Sequence, residues 1–449
     1  MTNGSRKSPP TEPSFPEALR VWIKVALLSF GGPAGQIGVM HRLVVEEKRW
    51  VDEHRFLIAL NYAMVLPGPE AQQLATYLGW LLHGTRGGLV AGTLFILPGF
   101  LSILALSILY AYFRDLAVVE ALFYGLKPAV MAVVVAALVR IARKALRNGV
   151  LILLAAAAFV AIFFLDIPFP FIILGAGITG WLGGRRYPEI FLPPETARDG
   201  GREEIEAPPV SGWRSLRLLA VWLPLWFAPL VFLALFFGRD HLFVTQGIFF
   251  SKMAIVTFGG AYAVLSYVAQ RAVEDYGWLA PGEMLDGLGM AETTPGPLIQ
   301  VVQFVGFMGA FRLAGGVSPL AAGLLASVVV TWVTFVPCFL WIFLGAPYIE
   351  RLRRNQALNT ALSAVTAAVV GVILNLALWF CLNTLFGRLP EVHAYGIRLL
   401  IPVWNTLDLP ALLIAAVAFL LLFRFRIGLI PTLAGSTVAG LLYRLIFHS

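Results

Sequence analysis

Two stretches decide the fold when one is laid on the other: Ile23-Lys24-Val25-Ala26-Leu27-Leu28-Ser29-Phe30-Gly31-Gly32 and Ser251-Lys252-Met253-Ala254-Ile255-Val256-Thr257-Phe258-Gly259-Gly260. The shift between them is 228 positions, and without a gap it also pairs Trp50 with Trp278, Pro67-Gly68-Pro69 with Pro295-Gly296-Pro297, Gln72 with Gln300 and Gly87-Gly88 with Gly315-Gly316. Of the 65 pairs from position 24 to 88, 17 are identical. Apolar segments share Leu, Ala and Val by accident, but not Lys, Trp and Pro-Gly-Pro at one offset, so the chain is an internal duplication. Further on, the second copy gains about 11 residues before Pro337, the partner of Pro98, and Leu174–Gly180 resembles Ala434–Gly440.

The material being duplicated is membrane protein. Of 449 residues, 59% are apolar and only 13% charged, with a mean hydropathy of +0.81. Apolar runs of 16 to 29 residues recur, and since about 20 apolar residues cross a bilayer, the sequence predicts about nine crossings plus several broken segments. A soluble, secreted or nuclear protein is excluded. Residues 1–19 hold four prolines and no apolar run, so they read as a cytoplasmic tail and not as a signal peptide. Cys338 and Cys381 each sit inside apolar runs, which argues against a disulfide framework or a thiolate metal site. The net charge of +8 comes from Lys and Arg at the ends of apolar segments, a membrane-orientation pattern and not a nucleic-acid surface. His41, His54 and His83 lack ligand spacing, and no metal or cofactor is expected. The tryptophans read as interfacial anchors.

The chain accordingly divides into the tail 1–19, a first repeat 20–182, a polar linker 183–212, a connecting helix 213–240 and a second repeat 241–449. One extra crossing after an even-numbered unit turns the second copy upside down. Basic residues agree, because Lys and Arg favour cytoplasmic loops. The run Ala117 to Val139 ends in Arg140, Arg143, Lys144 and Arg147, whereas its relative Ala357 to Trp379 begins after Arg351, Arg353 and Arg354. The turn Asp166-Ile167-Pro168 is not basic, whereas its relative carries Arg424-Phe425-Arg426. Lys48, Arg49 and Arg55 stand opposite Glu274, Asp275 and Glu283. The expectation is an all-α polytopic protein of two inverted-topology repeats, with the N-terminus and the linker cytoplasmic.

The runs Val21 to Val45 and Phe56 to Leu82 are long enough to cross but are interrupted by Gly31-Gly32-Pro33 and Pro67-Gly68-Pro69. Proline removes a donor and glycine loosens the chain, so each run is expected as two half-helices, either re-entrant or fully crossing. Freed backbone groups cannot face lipid and must pack in protein or line a wet cavity. Discontinuous helices paired across an inverted repeat point to a transporter's binding site. Half-helices that start at the breaks aim unpaired N–H groups and positive dipole ends at the midplane, which suits an anion. Lys24 and Lys252, at matched positions inside apolar surroundings, either face that site or snorkel to an interface. Glu70 and Glu292 lie beside the Pro-Gly-Pro elements at unmatched repeat positions, and a carboxyl in such a place can carry a proton or cap a helix. Gln72, Gln73, Gln300 and Gln303 supply neutral donors or interhelical contacts. Signatures of metalloprotease, P-loop and nucleophile-elbow enzymes are missing from the sequence, which leaves a carrier ahead of a channel.

The elements Ser29-Phe30-Gly31-Gly32-Pro33, Leu66 to Tyr77, Ala291 to Ile299 and Gln303 to Phe307 resemble the chromate ion transporter family in its long, two-domain form, over residues 20 to 445. The resemblance implies a bacterial inner-membrane carrier that expels chromate and confers chromate resistance, with sulfate as a structural mimic and sulfate uptake as the alternative. A homodimer is left open. The family's motif positions fall here on Phe30, Gly31, Gly32, Pro33, Pro67, Gly68, Pro69, Phe258, Gly259, Gly260, Pro295, Gly296 and Pro297. Ala261 replaces the proline that Pro33 supplies in the first copy, which predicts a softer second break.

Overall fold

The computed structural model describes residues 13–192, 212–258, 260–349, 355–394 and 396–447. It is an all-α polytopic membrane protein. The first hairpin consists of α1 (Phe15–Leu28) and α2 (Gly32–His41), the latter extended by a π-turn to Glu47. The second consists of α3 (Glu53–Val65) and the start of α4 (Glu70–Phe113). Asp52 caps α3 by accepting from the Arg55 N–H at 2.9 Å. Both hairpins close on themselves. Lys48 at the end of the first returns to Glu17 at its start, 2.8 Å away, and His83 reaches the Pro13 carbonyl at 3.0 Å. At His83-Gly84 α4 leaves helical geometry, Gly84 taking φ +60°. The remaining residues to Phe113 span about 40 Å at 1.5 Å each. The molecule thus has a His83 end and an Arg114 end.

Next come α5 (Ala117–Ala145), α6 (Gly149–Phe163), α7 (Phe169–Arg186) and the short α8 (Pro188–Phe191). After α9 (Gly212–Phe237), the second copy begins with α10 (Leu242–Val256), α11 (Ala261–Gln270) and α12 (Glu283–Thr293). A 3₁₀ turn then leads into α13 (Val301–Leu313), and α14 (Pro319–Gly345) and α15 (Gln356–Leu385) follow. A two-stranded hairpin, β1 (Glu391–Ala394) and β2 (Ile397–Leu400), precedes α16 (Leu409–Phe419) and α17 (Leu429–Phe447). The second-copy hairpins also close on themselves: Arg312 at the end of α13 makes two bonds of 2.7 Å to Glu283 at the start of α12. Glu283 pairs as well with Arg114, at the far end of α4.

Among the described residues, six helices are long and apolar enough to cross a bilayer: Glu70–Phe113, Ala117–Ala145, Gly212–Phe237, Pro319–Tyr348, Gln356–Leu385 and Leu429–Phe447. The difference from the nine crossings expected has a physical origin. The remaining apolar stretches, such as Gly149–Phe163 and Leu242–Val256, form helices of 10 to 17 residues because breaks and turns divide them. The first helix starts at Phe15, with Pro16 in its first turn, and not after Leu19. The linker's residues 193–211 and the cluster Arg351, Arg353 and Arg354 lie outside the described residues.

Small residues let long helices of the two halves approach. Gly125 on α5 meets the backbone of Gly440 on α17, and Gly180 on α7 lies against Thr360 and Ala364 on α15. Close backbone approach at small residues is how helices associate where water supplies no driving force.

Candidate functional site

The breaks meet. The Gly68 N–H donates to the Thr257 carbonyl at 2.7 Å, and the Gly296 N–H donates to the Ser29 carbonyl at 2.9 Å. The 228-residue shift maps Gly68 on Gly296 and Ser29 on Thr257, so one hydrogen bond is made twice, each time between copies. The local chemistry repeats too. Ser29 Oγ donates to the Val25 carbonyl at 2.6 Å and Thr257 Oγ1 to the Met253 carbonyl at 2.5 Å, satisfying carbonyls freed where α1 and α10 stop.

Glycine is required at these points. Gly31, Gly32, Gly68, Gly260 and Gly296 all have positive φ, from +75° to +131°. A Cβ on Gly296 would stand 2.9 Å from Gly99 Cα, and one on Gly68 2.9 Å from Cys338 Sγ. Gly99 and Cys338 each follow the matched prolines Pro98 and Pro337, so this close approach is reciprocal as well. Pro33 and Ala261 both stand in the first turns that follow their breaks, in α2 and α11. Phe30 and Phe258 are half-buried beside them, as are Pro67 and Pro295, whereas Pro69 and Pro297 are buried. Gly259 lies outside the described residues.

The carboxylates that looked unmatched in sequence are matched in space. A Cβ on Gly260 would lie 3.7 Å from Glu70 Oε1, and one on Gly32 would lie 3.9 Å from Glu292 Oε2. Each acid therefore flanks the half-helix start of the other copy. Glu292 is 2% exposed and accepts a hydrogen bond from the Tyr262 hydroxyl. Glu70 is half-buried. The positive charges of Lys144 and Arg140, one turn apart on α5, act on Glu70 and Glu292 respectively.

The glutamines form the polar lining. Gln73 donates to the Pro67 carbonyl at 2.7 Å, and Gln36 to the Gly296 carbonyl at 2.7 Å. Gln300 bridges Gln303 at 2.5 Å and Thr331 at 3.0 Å, and Gln303 reaches the Phe100 carbonyl at 3.1 Å. Gln72 donates to Thr76 within its own helix at 3.0 Å. The side-chain oxygens of Gln72, Gln73 and Gln300 are buried without a partner, an unfavourable state for a polar atom away from water. A small cleft beside the break, between Gly68, Met253, Thr257 and Thr334, has room for about one water.

Lys24 and Lys252 are not brought to the breaks. The Lys24 side chain is 55% exposed and lies 3.7 Å from Glu47, and Lys252 lies on an exposed face of α10 with Ile248 and Ile255. The buried faces of these helices carry Val21, Val25, Phe249 and Met253 instead, which turns both ammonium groups outward. Gln36 and Tyr262 contact the break residues or their acids and were not singled out from sequence, and Arg140 and Lys144, whose charges act on those acids, entered the sequence reading only as markers of orientation. Arg140 and Lys144 lie on α5, distant in sequence from every break, which hid this role, whereas Gln36, just four residues past Gly32, was legible as a polar group inside an apolar run.

Fold and site together define a polytopic membrane protein whose interrupted helices from two sequence copies converge on one polar centre. The signature of the family described as Chromate transporter matches residues 17–181 and 244–441, and the chain belongs to that family. It is 28% identical over 448 residues to a chromate transport protein of Cupriavidus metallidurans, covering 99% of this chain and 97% of that one. It is 32% identical over 378 residues to a chromate transport protein of Pseudomonas aeruginosa, covering 83% and 82%. A probable chromate transport protein of Synechococcus elongatus is 29% identical over 364 residues, covering 80% and 83%. No solved structure matches this chain.

Proposed function

We propose that the protein is a secondary active transporter that exports chromate across the bacterial inner membrane by alternating access between inverted halves. The observation that carries this reading is the reciprocal bonding of the breaks, Gly68 to Thr257 and Gly296 to Ser29. It ties the breaks of the two copies together in pairs, and the backbone N–H groups left free at the half-helix starts, with their positive dipole ends, favour a dianion. Inversion is supported by the hairpin contacts. First-copy hairpins close near His83 and Pro13, whereas Glu283 of the second copy pairs with Arg114 at the far end of α4. With the basic loop 48–55 cytoplasmic, the His83 end faces the cytoplasm.

Glu70 and Glu292 are the coupling groups in this account. A carboxylate beside a half-helix start competes with an oxyanion for the same positive potential. Protonation removes that competition, so oxyanion binding and the protonation of these acids are linked, and oxyanion flux responds to a pH gradient. The cleft at the break is too small for chromate, which makes this a closed conformation. Sulfate, of the same charge and similar size, is the competing cargo. Purified protein in liposomes, loaded with chromate and challenged with external sulfate under an imposed pH gradient, tests the reading. Saturable chromate flux that the gradient accelerates and sulfate inhibits only weakly is expected. Flux that is ohmic, or selective for sulfate, would overturn it.

A further inference from the structure

One polar feature lies outside the breaks. Tyr262, Ser266 and Gln270 recur every fourth residue on α11 and therefore share one face. All three are buried, at 7%, 2% and 6% exposure. At one end the Tyr262 hydroxyl donates to Glu292. One turn on, Asn375 of α15 donates to Ser266 Oγ at 3.1 Å. Another turn on, Gln270 donates to Asp166 at 2.9 Å, in the turn between α6 and α7. Asp166 is half exposed and lies at the Arg114 end of the molecule, because α5 and α6 together lead there and back from Ala117.

A cavity opens along this face, lined by Ser266, Gln270, Asn375, Trp379, Arg398 and Leu400, with room for about one water. Arg398, 6% exposed, closes it from β2. Its guanidinium pairs with Glu274 at 2.6 Å and Glu391 at 2.8 Å, and the Arg398 backbone N–H donates to the Phe164 carbonyl at 2.7 Å. Burial alone would lower the Arg398 pKa, but Glu274 and Glu391 outweigh it and raise it, so the latch stays charged. A single Ser–Asn bond between helices could serve as adhesion alone. Three polar contacts on successive turns of one helix face, from Glu292 at one end to an exposed carboxylate at the other, are more than adhesion needs.

The first copy has no such file. The repeat positions of Tyr262, Ser266 and Gln270 are Ala34, Gly38 and Arg42, and that of Glu292 is Met64. Glu70, the spatial counterpart of Glu292, makes no side-chain hydrogen bond to a described residue, and the charge acting on it is Lys144, near the cytoplasmic end of α5. The two acids are therefore wired differently. On Glu292 act only Tyr262 from α11 and Arg140 from α5, among the described residues.

We propose that the file Asp166, Gln270, Ser266 with Asn375, and Tyr262 is the route by which a proton from the outer face reaches Glu292. The route rests on the proton-coupled reading of the transporter. The step is a transfer without redox change. A proton from outer water enters the cavity, passes through a cavity water and the Ser266 and Tyr262 hydroxyls, and ends on the Glu292 carboxylate, each hydroxyl giving up one proton as it accepts another. Reorientation then exposes Glu292 to the cytoplasmic side, where that proton is released. Tyr262 and Ser266 are positioning residues and not part of the oxyanion site.

The test compares two rates of the full-length protein in liposomes: chromate flux driven by a pH gradient, and chromate–chromate exchange, which moves no net proton. Tyr262→Phe keeps the ring and removes the relay hydroxyl. It should lower the ratio of driven flux to exchange by about a hundredfold, the lower end of what loss of a positioned proton-transfer group produces. Ser266→Ala, a smaller change that safeguards against misfolding, should lower the same ratio by about threefold or more. A ratio that stays at the wild-type value in both variants overturns the route while leaving proton coupling intact. Wild-type driven flux that ignores the gradient overturns the coupling reading, and the route with it.

Discussion

Replacing Gly296 by alanine tests the meeting of the breaks with one methyl group. Gly296 has φ +110°, where a side chain costs about 1–3 kcal/mol in backbone strain. The new Cβ would lie 2.9 Å from Gly99 Cα and 3.0 Å from Gly99 N. Those are backbone atoms of α4 with no rotamer to change, so the two helices must separate by several tenths of an ångström. Overpacking of that kind costs about 1–3 kcal/mol. Separation also lengthens the 2.9 Å bond from Gly296 N–H to the Ser29 carbonyl, worth about 1 kcal/mol. The expected total of about 3–7 kcal/mol is a large share of a typical folding stability. Gly38→Ala is the control, since its Cβ meets nothing within 4 Å and its φ is not positive. Thermal unfolding in detergent and chromate transport in liposomes, at equal protein, should both fall sharply for Gly296→Ala and stay near wild type for Gly38→Ala. Equal behaviour of the two variants would refute the close contact between breaks.

Other expectations follow from the same geometry. Lys252→Ala should leave transport within about twofold of wild type, because its side chain faces away from the breaks, as judged by flux at matched abundance. Glu292→Gln should abolish the dependence of flux on a pH gradient while exchange persists, and a gradient response like that of wild type would remove this acid from the coupling. Glu283→Gln should destabilise the protein by about 2–4 kcal/mol, measured by denaturant titration, because it leaves Arg114 and Arg312 without their buried carboxylate. Gly440→Leu should cost about 3 kcal/mol, since its Cβ would strike the Gly125 backbone and force α5 and α17 apart.

Much of this architecture was legible because glycine and proline act locally. Pro-Gly-Pro stops a helix, and Gly-Gly does so at 31–32 and its counterpart though not at 87–88 or 183–184, which stay helical, so the breaks at 29–32, 66–69 and their second-copy counterparts could be placed from the two elements recurring together. The duplication was legible because Lys, Trp and Pro-Gly-Pro do not recur at one offset by chance. Contacts between distant segments were not legible. Glu70 and Glu292 occupy different repeat positions, and only the crossing of the copies sets both beside half-helix starts. The lysines misled because their matched positions carried no information about helix rotation. One hundred degrees per residue decides whether a side chain faces the centre or the surface, and Val25 and Met253, next in sequence, took the buried side. The strands β1 and β2 were missed because a hairpin of four-residue strands with mixed polarity has no strong alternation. The Tyr262, Ser266 and Gln270 spacing was present in the sequence, but isolated polar residues at every fourth position in an apolar helix also occur as interhelical contacts.

The central claim is that a dianion sits where the two copies' breaks converge. It is tested most directly by a structure of the protein with chromate bound, in which the chromium position is read from its anomalous scattering. The account predicts a single chromium among the half-helix starts that follow Gly31, Gly68, Gly260 and Gly296, within reach of the backbone N–H groups left free in their first turns. Chromium bound instead at Lys24, at Lys252 or beneath Arg398, with the centre empty, would contradict it.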